Sequence, residues 1–159
     1  MSWRGTTTVK DRIFASLPYL LPLIAALPFG ISLFTQFPVL ARILLPLLAP
    51  VLFIYSKIPF ADVVVFFLLF LLVVRNERIV HFIRFNAMQA ILIDILLFLC
   101  SMVRSYVLRP IGTNLVTETL LNMVFLGAFL ACGYSIVQSL LGRYAELPGI
   151  SEASYLQVR

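Results

Sequence analysis

Residues 75–89 read Arg75-Asn76-Glu77-Arg78-Ile79-Val80-His81-Phe82-Ile83-Arg84-Phe85-Asn86-Ala87-Met88-Gln89 and lie between two apolar runs. The block carries three of the twelve Lys and Arg residues, a quarter of the basic charge. Basic residues clustered between apolar helices are typical of cytoplasmic loops in membrane proteins. The block therefore predicts a short cytoplasmic turn that joins two membrane-spanning helices in an antiparallel hairpin.

The composition of the whole chain supports a membrane protein. Of its 159 residues, 62% are hydrophobic and 12% are charged, and the mean hydropathy is +1.04. A soluble domain has about 45 to 50% apolar and about 25% charged residues. We therefore expect an integral membrane protein with one small domain.

Several function classes are disfavoured by what the residues lack. The net charge of +5 comes from single Lys and Arg residues between apolar runs, so no basic patch for nucleic acid is formed. Cys100 and Cys132 lie inside apolar runs, without the partner spacing of a metal site. No nucleophile with a base and no phosphate-binding glycine loop is present. We expect no enzymatic activity, no cofactor and no metal.

The predicted fold class is all-α, a polytopic membrane protein with four transmembrane helices. Crossing a bilayer needs about 20 apolar helical residues, and the stretches that qualify are residues 13–29, 58–74, 82–108 and 115–141. Pro18, Pro22 and Pro28 should kink the first span, which then needs packed neighbours. Together the four spans form the predicted domain 13–142.

Three further segments complete the predicted organisation. Residues 38–56 contain Pro46 and Pro50, and their uninterrupted apolar part is only 13 residues long. That length favours an interfacial or re-entrant segment over a span. Residues 1–12 are predicted to be a cytosolic or stromal N-terminal segment, and the polar residues 143–159 a loose tail on the same side.

The distribution of Lys and Arg favours four spans over five. With four spans and the N-terminus inside, eight basic residues lie inside and four outside, as the positive-inside rule requires. The inside set is Arg4, Lys10, Arg12, Arg75, Arg78, Arg84, Arg143 and Arg159, and the outside set is Arg42, Lys57, Arg104 and Arg109. A fifth span at 39–55 would give six against six. Both termini are therefore predicted to be inside.

Three sets of residues are candidates for function. Polar residues on spans three and four could line a path for a polypeptide or bond to one another: Asn86, Gln89, Asp94, Asn114, Glu118 and Asn122. Small residues every four positions form a ridge along span four, for internal packing or for a partner: Gly127, Ala131, Ser135 and Ser139. The interface motif at the hairpin consists of Arg75, Asn76, Arg78, His81 and Arg84.

Asp94 and His81 are the two ionisable residues of these sets whose roles the sequence determines least. Asp94 lies near the middle of span three, where an ionisable residue is costly and suggests function. It is equally compatible with a structural hydrogen bond or with a pore-lining role. His81 is the only histidine, and beside Arg78 and Arg84 it is expected to be an interfacial or salt-bridged residue.

The chain also resembles a known family through its motifs. These are the runs Asp11–Leu23, Leu27–Gly30, Ile58–Ala61, Val73–Asn76 and, above all, His81–Ile91. Over residues 10 to 142 the chain resembles the twenty-kilodalton subunit family of the chloroplast inner-envelope protein import translocon. The short segment before span one lacks an Arg- and Ser-rich extension, which predicts a cyanobacterial or plastid-encoded member, or a chain without its transit peptide.

The resemblance implies a four-helix membrane component, with both termini stromal, that helps precursor polypeptides across the inner envelope. Its implied partners are other translocon membrane subunits, precursor polypeptides, membrane lipid and further copies of the chain as a homo-oligomer. The implied location is the plastid inner envelope, or the plasma or thylakoid membrane of a cyanobacterium. Two alternatives stay open, a permease-like carrier subunit that uses Asp94 and a structural subunit that presents the small-residue ridge.

Overall fold

The fold is described by a computed structural model for residues 6–158, all of whose regular elements are helices. They are α1 (Val9–Phe29), α2 (Ile31–Gln36), α3 (Pro38–Lys57), α4 (Ala61–Val74), α5 (His81–Ile111), α6 (Leu115–Leu140) and α7 (Ile150–Gln157). Arg4 and Arg159, both counted in the predicted charge balance, lie outside the described residues. The all-α prediction is confirmed.

Four of these helices are long and apolar enough to cross a membrane: α1, α3, α5 and α6. The chain is therefore a multi-pass membrane protein with four candidate spans, as predicted. One member of the set differs, because α3 is a continuous helix of 20 residues whereas α4, in the predicted second span, is a shorter apolar helix. The interfacial placement of residues 38–56 stays a prediction.

α3 borders α1 through cavities that both helices line. Leu44, Leu47 and Leu48 share a cavity wall with Leu20, Leu23 and Leu27. One and two turns later, Leu52 and Tyr55 face residues 24–29 of the same helix. Val51 and Tyr55 of α3 also line a cavity with Phe14, Leu17 and Leu21 of α1. Leu48 is the only buried residue of α3.

The prolines of α1 shape the central helix of the bundle. Pro18 and Pro28 each lie in a short 3-10 turn inside the helix, because a proline removes a backbone donor and tightens the local winding. Tyr19 and Phe29, which follow them, are buried against α5 and α6. Gly30 permits this approach, because a Cβ there would lie 2.8 Å from the Phe125 ring.

The α4–α5 pair forms the antiparallel hairpin that the basic block predicts. Phe66, Leu69 and Phe70 of α4 pack against a cluster that contains Met88 and Ile91 of α5. In the turn, the Asn76 carboxamide oxygen accepts a hydrogen bond from the Arg78 backbone N–H at 3.1 Å. Asn76 therefore shapes the turn itself, in the manner of an Asx-turn.

The prediction of a loose C-terminal tail is wrong. Residues 150–157 form α7, which packs on α5, and the Val158 side chain is 1% exposed. The reason is an aromatic contact that the polar composition conceals, since the Tyr155 ring centroid lies 4.5 Å from that of Phe85. Aromatic rings bury a large apolar area even where their neighbours are polar.

Candidate functional site

The polar residues of the bundle core come from three helices and meet in one cluster. We call it the buried polar cluster: Tyr19 of α1, Asn86 and Gln89 of α5, and Ser135 and Ser139 of α6. Each of these five residues is 0% exposed. Burying a polar side chain is costly unless it is hydrogen-bonded, so residues at such positions are expected to have partners.

Asn86 is the centre of the buried polar cluster. Its Nδ2 donates to the Phe82 carbonyl oxygen at 2.8 Å, which orients the amide because a carbonyl only accepts. Its Oδ1 therefore faces the Tyr19 and Ser139 hydroxyls, each 2.9 Å away. One carboxamide thus ties together the three helices of the bundle.

Gln89 extends the cluster toward the end of α6. Its Nε2 donates to the Ala145 carbonyl oxygen at 3.1 Å and lies 3.4 Å from Ser135 Oγ. The Oε1 atom is buried without a hydrogen-bond partner among the described residues. Gln89 therefore fixes the chain just after α6, and both of its bonds are internal.

The small-residue ridge of α6 divides between two environments. Ser135 and Ser139 point inward and belong to the buried polar cluster. Ala131 is half-buried against the apolar core, while Gly127 is exposed, with nothing within 4 Å of a Cβ placed on it. The four-residue spacing drifts by about 40° per step on a 3.6-residue helix, which turns the two ends of the ridge to different faces.

Asp94 lies away from the buried polar cluster, on the wall of a cavity of about 450 Å³ between α1, α3, α4 and α5. Its polar lining consists of Tyr55, Asp62, Asp94, Ser101 and Arg104. Among the described residues, the Asp94 carboxylate forms no hydrogen bond or ion pair with another side chain. We call this space the Asp94 cavity.

Arg104 also lines the Asp94 cavity. Its Nη1 donates to the Pro28 carbonyl oxygen at 3.4 Å, and its guanidinium lies 5.3 Å from the centroid of the Phe29 ring. Ser101 and Arg104 lie about two and three turns from Asp94 on the same face of α5. The cavity therefore presents a carboxylate and a guanidinium along one helix face.

The other three predicted polar residues are at the start of α6. Asn114 caps the helix, with its Oδ1 3.0 Å from the Thr117 backbone N–H. Glu118 accepts a hydrogen bond of 3.3 Å from Ser32 Oγ of α2. The Asn122 Oδ1 atom is buried without a hydrogen-bond partner in the described part of the chain. The six predicted residues thus occupy three separate places.

The hairpin motif connects the turn to the C-terminal helix. Arg84 is buried, and its Nε donates to the Val74 carbonyl oxygen at 2.8 Å, which secures the end of α4. His81 Nε2 lies 3.0 Å from the Val158 carbonyl oxygen, and His81 Nδ1 lies 3.0 Å from the Tyr144 hydroxyl. In the neutral ring Nε2 therefore carries the proton, because the carbonyl can only accept.

Two residues of these sites escaped the sequence analysis. Tyr19 was not singled out, although a buried tyrosine hydroxyl usually needs a partner, and this rule could have linked it to Asn86. Arg104 was counted only as a charge on the outside. Ten residues of helix separate it from Asp94, a rise of about 15 Å and a rotation about 80° short of three full turns, so helical geometry alone could have indicated only roughly that both line one cavity.

Comparisons with known proteins identify the family of this chain. Residues 8–154 match a family described as "Chloroplast import apparatus Tic20-like". The chain is 56% identical to a Tic20 family protein of Synechocystis over all of this chain and 99% of that protein. It is 32% identical to the protein TIC 20-II, chloroplastic, of Arabidopsis thaliana over 96% of this chain and 74% of the relative. With the match covering nearly the whole helical bundle, this chain belongs to the Tic20 family.

Proposed function

We propose that this chain is a membrane-embedded component of a protein translocon and contributes to a path along which a polypeptide crosses the membrane. The observation that carries the proposal is the match of residues 8–154 to the import-apparatus family. In a plastid the cargo would be a precursor that crosses the inner envelope. In a cyanobacterium it would be a polypeptide that crosses the plasma or thylakoid membrane.

Within this chain, we assign the polypeptide contact to the Asp94 cavity. A moving polypeptide presents peptide N–H and C=O groups that need polar partners inside the membrane. Asp94, Ser101 and Arg104 offer an acceptor, a hydroxyl and a donor along about 15 Å of one α5 face, at about 1.5 Å per residue. Asn86 and Gln89 are fully buried and bonded internally, so their contribution is to hold the bundle around the path.

Glu118 and Asn122 extend the proposed path at the start of α6. The Asn122 Oδ1 lacks a partner among the described residues, and the Glu118 carboxylate has only the hydroxyl of Ser32 as a donor. Acceptors held without a full set of donors suit transient bonds to peptide N–H groups. Asn114, in contrast, uses its side chain to cap α6.

Site-specific photocrosslinking during arrested translocation tests the proposal. A photoreactive residue at Ser101 should crosslink to a tagged precursor, whereas the same probe at Phe67, which is 53% exposed on α4, should not. Ser101 is preferable to Gln89 as a probe position, because a bulky probe at a fully buried residue would disturb the bundle. Crosslinks from Ser101 only to other membrane subunits would remove the polypeptide path from this chain.

The carrier alternative has one structural observation in its favour: the Asp94 carboxylate lies in a cavity of about 450 Å³ and forms no hydrogen bond or ion pair with another side chain within residues 6–158. Reconstituted protein separates the two functions. A small-solute flux that Asp94→Asn abolishes, in vesicles without any precursor, would favour the carrier. Flux equal to that of empty vesicles would leave the translocon proposal standing.

A further inference from the structure

A second polar cavity lies at the end of the bundle where α1 begins and α6 ends. It measures about 590 Å³, and its lining includes Thr6, Thr7, Arg12, Gly142, Arg143 and Glu146. We call it the terminal cavity. Its volume is within the range of about 300 to 1,000 Å³ that is usual for small-molecule sites.

The charges of the terminal cavity favour an anion. Among the described residues that line it, two are arginines, Arg12 and Arg143, and one is a carboxylate, Glu146. The first residues of α5 also line it, and their cap residue Val80 makes no side-chain hydrogen bond to the helix. A helix N-terminus carries partial positive charge and directs backbone N–H groups outward. The two arginines and the N-terminus of α5 therefore both favour a bound anion.

Arg12 is held in the terminal cavity by close packing. Its Nε donates to Thr7 Oγ1 at 3.3 Å, and a Cβ placed on Gly142 would lie 2.8 Å from that Nε. Gly142 has φ of +73°, a conformation that glycine adopts without strain. The guanidinium is therefore packed closely against Gly142, just after α6, and among the described residues its one printed hydrogen bond uses Nε rather than a terminal nitrogen.

The position of the terminal cavity distinguishes a lipid from a free anion. Arg12 directly precedes the exposed apolar residue Ile13, and Arg143 follows the exposed Leu141 by two positions. Both arginines thus stand where the apolar surfaces of α1 and α6 end. A headgroup at this level would have its acyl chains along those exposed apolar side chains.

We infer that the terminal cavity binds the phosphate headgroup of an anionic membrane lipid, with Arg12 and Arg143 as its cationic ligands. Thr6 and Thr7 supply hydroxyl donors around the same space. Basic pockets between transmembrane helices are a recurrent form of anionic-lipid site. The inference is independent of the proposed translocon role, since it requires only a folded chain in a membrane.

Native mass spectrometry of the purified full chain, with phosphatidylglycerol and phosphatidylcholine as probes, measures this binding directly. We expect retention of phosphatidylglycerol in preference to phosphatidylcholine. Arg143→Gln should weaken phosphatidylglycerol binding about fivefold, and Arg12→Gln with Arg143→Gln about thirtyfold, because a basic residue near an anionic surface contributes roughly a fivefold factor. Arg143 is exposed, so its single variant should fold even if the double variant does not.

The matched control removes the same charge elsewhere, as Arg42→Gln with Arg109→Gln, two exposed arginines outside the terminal cavity. This control should bind phosphatidylglycerol as well as the unmodified chain does. A loss in the control that equals or exceeds the loss in the Arg143→Gln variant would overturn the inference, because binding would then follow net charge. Displacement of the lipid by inorganic phosphate at similar concentration would also overturn it, in favour of a free-anion site.

Discussion

Asn86 allows a quantitative test of how the bundle is held together. Its Oδ1 faces two hydroxyl groups, those of Tyr19 and Ser139, both at 2.9 Å. The two variants Tyr19→Phe and Ser139→Ala each remove one donor and leave the other in place. The double variant leaves a buried acceptor that faces no donor from another helix. The three proteins therefore separate the loss of one bond from the loss of all bonds to that oxygen.

The expected magnitudes differ because the two losses differ in kind. An interhelical hydrogen bond in a membrane protein contributes about 0.6 kcal/mol on average and about 1.7 kcal/mol at most. Each single variant should therefore lower the free energy of unfolding by roughly 0.6 kcal/mol, and simple addition would give about 1.2 kcal/mol. A buried polar atom without any partner costs about 1 to 3 kcal/mol. We expect the double variant to lose about 2 to 3 kcal/mol.

Reversible unfolding in mixed micelles of a mild detergent and dodecyl sulfate, followed by circular dichroism, gives these free energies. Tyr106→Phe and Ser105→Ala are the matched controls, because both residues are exposed on α5 and each variant makes the same chemical change. Additive losses, within about 0.5 kcal/mol, would refute the reasoning. They would mean that the Ser139 hydroxyl gives its proton to the Ser135 carbonyl oxygen, 2.7 Å away, and that Asn86 bonds only to Tyr19.

Three further predictions follow from single contacts. Gly30→Ala should lower the free energy of unfolding by about 1 to 3 kcal/mol, because the new Cβ would meet the Phe125 ring at 2.8 Å. Gly127→Ala, where the space is open, should raise the free energy of unfolding by about 0.5 to 1 kcal/mol. Equal losses for the two variants in the same unfolding assay would contradict both expectations. Arg84→Gln should cost about 1.5 to 3 kcal/mol through the lost bond to the Val74 carbonyl, whereas the exposed Arg78→Gln should stay within about 0.5 kcal/mol. A Glu-specific protease should spare Glu152 in the folded protein, because α7 is docked on α5; early cleavage there, detected by mass spectrometry, would show a mobile tail.

The helices themselves could be predicted because they depend on local composition. The start of α6 at Leu115 and its end at Leu140 agree with the predicted span to within one residue. The end of α5 was less predictable. Residues 104–108 adopt a π-helix, and the helix then continues through Pro110 to Ile111, before Gly112 with φ of 84°. Whether a helix stops before a proline depends on how the preceding turn is wound.

The length of α3 was also difficult to predict from the positions of its prolines. Pro46 and Pro50 suggest an interrupted segment, yet both lie inside one continuous helix and both are exposed. Residues four apart share a helix face, so the two missing N–H groups and the strain fall on one side of α3. The spacing of the two prolines can be found in the sequence. Whether the helix continues through both prolines depends on which side of α3 faces other helices, and the sequence does not give that.

The buried polar cluster could be predicted only in part, because it requires the pairing of faces on different helices. Helical geometry places Asn86 near Gln89 on one side of α5, and Ser135 above Ser139 on α6. It cannot state that these two sides meet, so the four residues were assigned to a path and to a ridge. The contact is decided by the packing of the apolar residues around them, such as Ala90 and Cys132.

The packing of the helices also indicates which of them would move if a polypeptide passed through this chain. Separating α1, α5 and α6 would break the bonds of Asn86 and Gln89 and leave buried polar atoms without partners, at about 1 to 3 kcal/mol each. α3 contributes only one buried residue of its own, Leu48, to the bundle. Lipid tails are as apolar as leucine, so exposing that side chain to lipid costs little. We therefore expect any opening of this chain to occur on the side of α3 and α4, at the Asp94 cavity, while the buried polar cluster stays closed.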